Sequence, residues 1–123
     1  MPFFKNYALK QLNTFGIDVN AKLYVEVFSE ADLIAVFSNQ EVKENKLLIL
    51  GGGSNMLFTK DYNGLVVKIS IKGIVVKEDG DDVLVTAGAG EVWDNLVKYC
   101  VVNGYAGIEN LTLIPGTVGA SPI

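Results

Sequence analysis

The chain has the pattern of an α+β protein, in which a small βαβ unit is followed by antiparallel strands and a helix. A strand-like alternation, a helix start and an apolar run follow one another in the first fifty residues. Further on, a charged turn separates two apolar strands, and an amphipathic stretch ends at Asn103-Gly104. This order of elements predicts a parallel unit first and an antiparallel unit second.

The βαβ unit is predicted between residues 23 and 50. Residues 23–28 alternate with the period of a half-buried strand. Ser29 is a typical helix N-cap, with the acidic Asp32 three positions later, and Lys46 stands near the expected end of the helix. Leu47–Leu50 is a continuous apolar run, short enough for a buried strand that closes the unit.

The second half is predicted to hold three strands and one helix. Strands are expected at 65–71 and 73–77, and a charged turn at 78–82 leads to a return strand at 83–87. Residues 92–102 have helical spacing, and Asn103-Gly104 is a good stop signal. Residues 104–123 contain four glycines and two prolines and form no clear element, so an ordered functional loop is expected there.

The composition excludes several classes of function. The net charge of -4 argues against a nucleic-acid or anionic-membrane partner. The chain has no His, and all ten basic residues are Lys, so serine-histidine triads, histidine metal sites and arginine clamps cannot be built from it. Cys100, the only cysteine, is expected to be a core residue. Without a signal peptide or an 18-residue apolar span, the expected location is cytoplasmic.

A glycine-rich loop follows the apolar run and is the first candidate site. Gly51, Gly52, Gly53, Ser54 and Asn55 can present backbone N–H groups to a phosphate or pyrophosphate without a cationic side chain. The segment fits neither a P-loop nor a dinucleotide-binding fingerprint, because the required Lys and third Gly are missing. A tight glycine-rich turn is the alternative interpretation.

A second candidate loop lies near the end of the chain. It is made of Pro115, Gly116, Thr117, Gly119, Ala120, Ser121 and Pro122. An inter-domain linker is the alternative, but the segment is too apolar for a solvated tether. Together the two loops favour a large nucleotide cofactor whose pyrophosphate rests on main-chain amides.

Five sequence blocks occur in order along the chain: NTFGI at 13–17, LILGGGSN at 48–55, AGAGEVW at 87–93, GIENL at 107–111 and IPGTVGASPI at 114–123. In these blocks the chain closely resembles the N-terminal part of the UDP-N-acetylenolpyruvoylglucosamine reductase (MurB) family. The resemblance implies the FAD-binding fold of the vanillyl-alcohol oxidase and p-cresol methylhydroxylase type. Residues 1–60 would form the small βαβ FAD-binding subdomain, and residues 61–123 the first half of the second subdomain.

The resemblance also implies roles for the two loops. The triple-glycine loop would wrap the FAD pyrophosphate, and residues 115–122 would run beside the cofactor nearer its flavin end. The block that contains Asn13 and Thr14 has no assigned contact.

The resemblance further implies the reaction. NADPH would reduce FAD, and the reduced flavin would reduce the enolpyruvyl group of the UDP-sugar. The family's catalytic serine, arginine and glutamate would lie beyond residue 123, so no catalytic residue and no metal ligand is expected in this chain. An apolar terminus at Ser121-Pro122-Ile123 suggests a fragment without the substrate domain, inactive alone and prone to self-association through an exposed edge. Two alternatives stay open: the FAD-binding portion of another flavin oxidoreductase, and a non-catalytic nucleotide-binding module.

Overall fold

The computed structural model describes residues 2–121, so the predictions for Pro122 and Ile123 lie outside the described residues. The elements in this range are β1 (Phe4–Ala8), β2 (Asn20–Val27), α1 (Glu30–Phe37), α2 (Gln40–Glu44), β3 (Leu47–Leu50), β4 (Tyr62–Ile69), β5 (Ile74–Asp79), β6 (Asp82–Ala87) and α3 (Trp93–Val102). Short 3₁₀ turns occur at Lys10–Leu12, Glu109–Leu111 and Val118–Ala120. None of the helices in the described range has the length and apolar character needed to cross a membrane.

Four strands form the main sheet, in the order β1-β2-β4-β3. β1 pairs antiparallel with β2, whereas β4 runs parallel to both of its neighbours, β2 and β3. The predicted order of strand, helix and strand is therefore present in β2, α1 and β3, but β4 lies between the two strands of the unit. Leu65, Val66 and Val67 are fully buried, because a central strand of a parallel sheet is covered on both faces.

The position of β4 bears on the subdomain boundary predicted at residue 60. That division assigned the strand after Gly64 to the second unit, yet this strand is hydrogen-bonded in the middle of the first sheet. The pairing therefore favours a first unit that extends to Ile69, and the boundary stays a prediction. The expectation of a buried strand at Leu47–Leu50 was also too strong: β3 is at an edge, so Leu50 is buried while Ile49 is 48% exposed.

Apolar side chains cover both faces of the sheet. Successive residues of a strand point to opposite faces. Tyr24 accordingly packs in one core cluster with Leu50, and Val25 packs in the other with Val67. Helix α1 covers the second cluster through the fully buried Val36.

Helix α1 begins at the predicted cap and ends earlier than expected. Ser29 Oγ accepts a hydrogen bond from Asp32 N at 3.1 Å, and Asp32 Oδ2 accepts one from Phe28 N at 3.0 Å. The helix stops at Phe37, and Asn39 caps a second helix, α2, by accepting from Glu41 N. Ser and Asn side chains compete with helical backbone bonds, which explains the break.

The second half follows the prediction closely. β5 and β6 form a separate antiparallel hairpin with a two-residue turn, in which Gly80 has φ +63°. α3 buries Leu96, Val97 and Cys100 on one face, as the spacing indicated. Burial also raises the pKa of the Cys100 thiol, in agreement with the expected core role.

Candidate functional site

The two predicted loops meet at the carboxyl end of the parallel strands. The triple-glycine loop begins directly after β3, and the second loop folds back beside it. Ligands of open parallel sheets bind at this end of the strands. The structure thus brings together both segments that the sequence singled out, although their binding roles remain predictions.

Gly53 fixes the shape of the first loop. Its φ is +72°, and a Cβ atom on it would lie 2.0 Å from Leu12 O, so no other residue fits without movement of the backbone. Thr14 N donates a hydrogen bond to Gly53 O at 3.1 Å. The block at 13–17 had no assigned contact, and this hydrogen bond shows that it supports the backbone of the triple-glycine loop.

Asn13 orders the turn on which the loop rests. Its side chain is buried, donates to Leu9 O at 2.8 Å and accepts from Ile17 N at 2.9 Å. A buried polar side chain of this kind stabilises one backbone conformation. Asn13 is therefore a structural support of the first loop.

The backbone N–H groups of the first loop are available. Among residues 2–121, no acceptor receives a hydrogen bond from the N–H groups of residues 52–55. Gly52 and Asn55 are exposed, and Ser54 is partly exposed. Backbone amides of a glycine-rich loop that lack a protein acceptor can bind an anion.

The second loop is fixed by backbone bonds, which a solvated linker would not make. Val118 N donates to Glu91 O at 2.8 Å, and Gly119 N donates to Ala89 O at 2.9 Å. A Cβ atom on Gly119 would lie 2.8 Å from the Cβ of Ala89, so the close approach requires glycine. The block at 87–93 therefore serves as the platform of the second loop.

The segment before the second loop is tied to the start of α3. Trp93 Nε1 donates to Leu111 O at 2.9 Å, and Leu113 N donates to Asp94 Oδ1 at 2.6 Å. The bond from Leu113 and the neighbouring Lys98 lower the pKa of the Asp94 carboxyl. These contacts restrict the path of the chain into the loop.

The contacts between the two loops are close. A Cβ atom on Gly51 would lie 2.8 Å from Thr117 Oγ1, and one on Gly116 would lie 3.3 Å from Ser54 Oγ. Thr117 is one of the few buried polar residues. Of the other predicted residues, Ala120 lines the cleft described next, whereas Pro115 and Ser121 are exposed.

A cleft of about 360 Å³ opens between the loops and helix α1. Glycine backbone forms one wall, and aliphatic side chains form the other. The lining residues are Leu33, Ile49, Gly51, Ile69, Ile71, Ala89, Thr117, Gly119 and Ala120. Such a cleft can take a flat apolar ring next to a charged group.

A larger hollow, about 560 Å³, lies at the opposite end of the strands. Several of its polar groups are bonded to other protein groups: Asn20 N donates to Asp61 Oδ1 at 2.8 Å, and Lys22 Nζ donates to Asn45 Oδ1 at 2.8 Å. Within residues 2–121, no glycine-rich loop lines this hollow, so it is the weaker candidate.

A polar cluster lies behind the first loop, and sequence reasoning missed it. Lys68 on β4 is the register partner of Glu26 on β2, and its Nζ donates to Gly51 O. Ser70 Oγ and Tyr24 OH both donate to the Glu26 carboxylate. Burial lowers the pKa of Lys68, and burial together with the Glu26 carboxylate raises that of Tyr24. No signal in the linear sequence connects Lys68 with Gly51.

The residues present suit FAD better than a metal ion. Among residues 2–121 no group of three or more acidic or Cys side chains could hold a metal. Backbone amides and an aliphatic wall, in contrast, match the diphosphate and the rings of a dinucleotide.

Comparisons with known proteins agree with this chemistry. The model of the FAD binding domain family matches residues 21–123. The UDP-N-acetylenolpyruvoylglucosamine reductase of Chromobacterium violaceum is 48% identical over 116 residues, which are 94% of this chain and 34% of that protein. The reductase of Amoebophilus asiaticus is 49% identical over 120 residues, 97% of this chain and 35% of that protein.

A solved structure is similar as well. The crystal structure of the same-named reductase (MurB) from Thermus caldophilus matches with a TM-score of 0.65 and 25% identity, over 96% of this chain and 39% of that one. The chain spans about a third of the length of the curated relatives it matches. The resemblance seen in the five blocks and the α+β FAD-binding fold are thereby confirmed. Because the family model covers most of its length, the chain belongs to the FAD binding domain family.

Proposed function

We propose that this chain is the FAD-binding N-terminal portion of a reductase that acts in peptidoglycan synthesis. The whole enzyme would use NADPH to reduce the enolpyruvyl group of UDP-N-acetylglucosamine enolpyruvate and so form UDP-N-acetylmuramate. The relatives at 48% and 49% identity support this assignment by their names. The observation that carries the site is the set of free backbone amides at residues 52–55 beside an aliphatic cleft.

The chain's own residues would bind and orient the cofactor. The amides of residues 51–55 would bind the diphosphate, and residues 115–122 would border the cofactor nearer its flavin end. FAD, when bound, would supply the capacity to accept and donate a hydride. No residue of this chain is proposed as catalytic; its part is positioning and electrostatics.

The remaining assignments follow from the same proposal. NADPH and the UDP-sugar would be the partners of the whole enzyme, and the cytoplasm its location. The first FAD-binding subdomain would extend to Ile69, where the sheet ends, and the rest of the chain would begin the second.

Titration of the ¹⁵N-labelled chain with FAD tests the site. We expect the amide resonances of residues 51–55 and 116–120 to shift most. Gly52→Val places methyl groups in the amide cradle and should weaken binding about tenfold or more, whereas Ala35→Val on the exposed face of α1 is the matched control. Shifts confined to the hollow around Asn20 would overturn the proposal.

The reaction needs a separate test. The complete gene product that contains this chain should oxidise NADPH only when the enolpyruvyl UDP-sugar is present. Oxidation of an alcohol instead would support the other flavin oxidoreductases, and FAD binding without turnover would support the non-catalytic module.

A further inference from the structure

The peptide unit between Gly51 and Gly52 could adopt either of two orientations. Glycine lacks a Cβ, so a peptide flanked by two glycines can turn over at little steric cost. One orientation aims the Gly52 N–H at a ligand, and the other aims the Gly51 carbonyl at it. For an anionic ligand, only the first is attractive.

Two contacts of the first loop select one orientation. Lys68 Nζ donates to Gly51 O, and Thr14 N donates to Gly53 O. In a planar trans peptide the C=O and the following N–H point in opposite directions. The N–H groups of Gly52 and Ser54 therefore point away from Lys68 and Thr14.

The register explains how Lys68 reaches the loop. Lys68 is paired with Leu50, the last residue of β3, and Gly51 follows directly. Leu50 belongs to the core cluster on the face opposite α1, so Lys68 approaches Gly51 from that face. The cleft is lined by Ile49 and Ile69, which lie on the α1 side.

The Glu26 carboxylate attracts Lys68 across the strand pair but makes its hydrogen bonds to other groups. It accepts from Ser70 Oγ and Tyr24 OH. Within the described residues the ion-pair contact is between Asp94 and Lys98, not between Glu26 and Lys68. Lys68 is thus left to bind the loop carbonyl.

We propose that Lys68 is a positioning residue that holds the Gly51–Gly52 peptide in the orientation able to bind an anion. It would act from behind the loop, on the side away from the ligand. The inference rests on the proposed function, since it assigns Lys68 to the same diphosphate site. The ligand class is a phosphate or diphosphate group on a nucleotide.

The test compares Lys68→Met with Lys72→Met in the ¹⁵N-labelled complete gene product that contains this chain. Lys72 is exposed and lies near Lys68, so its loss removes one charge without removing the Gly51 contact. The probes are FAD, ADP and riboflavin, of which only riboflavin has no phosphate.

We expect Lys68→Met to weaken FAD and ADP binding about tenfold, because the Gly51–Gly52 peptide can then turn its carbonyl toward the phosphate. Riboflavin affinity should stay unchanged, and Lys72→Met should bind FAD like the wild type. The melting temperature should fall only slightly, because the Lys68–Gly51 hydrogen bond also exists without a ligand. Lys68→Arg, which keeps a charged donor, should restore part of the ADP affinity. A merely structural role for Lys68 would lower all affinities together with the melting temperature.

Other outcomes separate the two proposals. If wild-type Gly52 and Ser54 amides shift with ADP but Lys68→Met binds equally well, the Lys68 role is wrong and the site stands. If Lys68→Met and Lys72→Met lose the same FAD and ADP affinity, the effect comes from the long-range charge of the lysines, and the positioning role of Lys68 is wrong. If ADP leaves the wild-type loop unperturbed, the proposed site fails. Should Lys68→Met not fold, Lys68→Gln, shorter but polar, must show the same loss of ADP binding relative to Lys72→Gln.

Discussion

At the scale of single residues, Gly53 controls the geometry of the candidate site. Gly53→Ala would combine a left-handed backbone with a Cβ placed 2.0 Å from Leu12 O. We expect it to lower the free energy of unfolding by about 3 kcal/mol or more. Gly80→Ala is the matched control, because Gly80 has a similar φ and nothing within 4 Å of the added atom; it should cost only about 1 kcal/mol. Equal losses in urea denaturation would show that the contact with Leu12 is unimportant.

The raised pKa of Tyr24 leads to a prediction about the stability of the chain in alkaline solution. Burial and the Glu26 carboxylate raise its pKa above the ordinary value of 10.0. Above pH 10 the unfolded chain therefore loses this proton before the folded chain does. The contribution of Tyr24 to stability is present below pH 10 and is lost as the pH rises further.

The measurement is urea denaturation at a series of pH values from 8 to about 11. Tyr24→Phe should show a smaller loss of unfolding free energy above pH 10 than the wild type. Tyr105→Phe, outside the sheet, serves as the control and should follow the wild type. If the wild type and Tyr24→Phe lose stability in parallel, the hydroxyl group of Tyr24 does not govern this range.

At the scale of elements, local patterns predicted most strands and helices but not which strands pair with each other in the sheet. The alternation at 23–28 and the Ser29 cap predicted β2 and α1, because both signals depend on residues close in sequence. The place of β4 between β2 and β3 depends on pairing across about 40 residues. β1 was missed because it is largely exposed. It is held by antiparallel pairing with β2 and by the stacking of Tyr7 on Tyr24, whose ring centroids are 3.9 Å apart.

In the candidate site, too, the features that depend on local sequence could be predicted, and those that depend on strand pairing could not. The two loops could be found from their glycines, because glycine is required where backbones approach closely. Lys68 could not be found, since its contact with Gly51 exists only through the register of β3 with β4. Thr14 was recognised as part of a block, but only the folded chain gives its contact with Gly53.

The two sheets should differ in local stability. Among the described residues, none of β5 or β6 belongs to either core cluster, and Val75 is 68% exposed. An isolated two-stranded hairpin is marginally stable. We expect amide hydrogens of β5 and β6 to exchange at least about tenfold faster than those of β2 and β4. Hydrogen exchange followed by mass spectrometry measures this, and equal protection in both sheets would contradict the expectation.

At the scale of the whole molecule, the chain spans only part of the length of its relatives. The chain covers 34% of the C. violaceum relative, and the second sheet has only two strands. We therefore expect the 123-residue chain alone to bind FAD weakly, with a Kd above about 1 µM. Flavin fluorescence during titration measures this affinity, and a sub-micromolar Kd would mean that the two loops suffice.

The exposed apolar surface of the chain predicts self-association. Apolar side chains are exposed along α3 and the segment after it, with Val102 84% and Leu113 82% exposed. Exposed apolar patches of monomers commonly pair with another surface, and a net charge of -4 opposes this only weakly at physiological salt.

Light scattering should therefore show a mass that rises with protein concentration. Leu113→Lys should reduce this rise, because a charge buried between two copies is costly. Ile34→Lys on α1, where Ile34 is 68% exposed, is the matched control and should leave it unchanged. A constant monomer mass up to a protein concentration of about 1 mM would rule out a dimer with a dissociation constant below that value. Equal effects of both substitutions would instead assign the association to general hydrophobicity, because a specific interface near α3 cannot be weakened by a charge on α1.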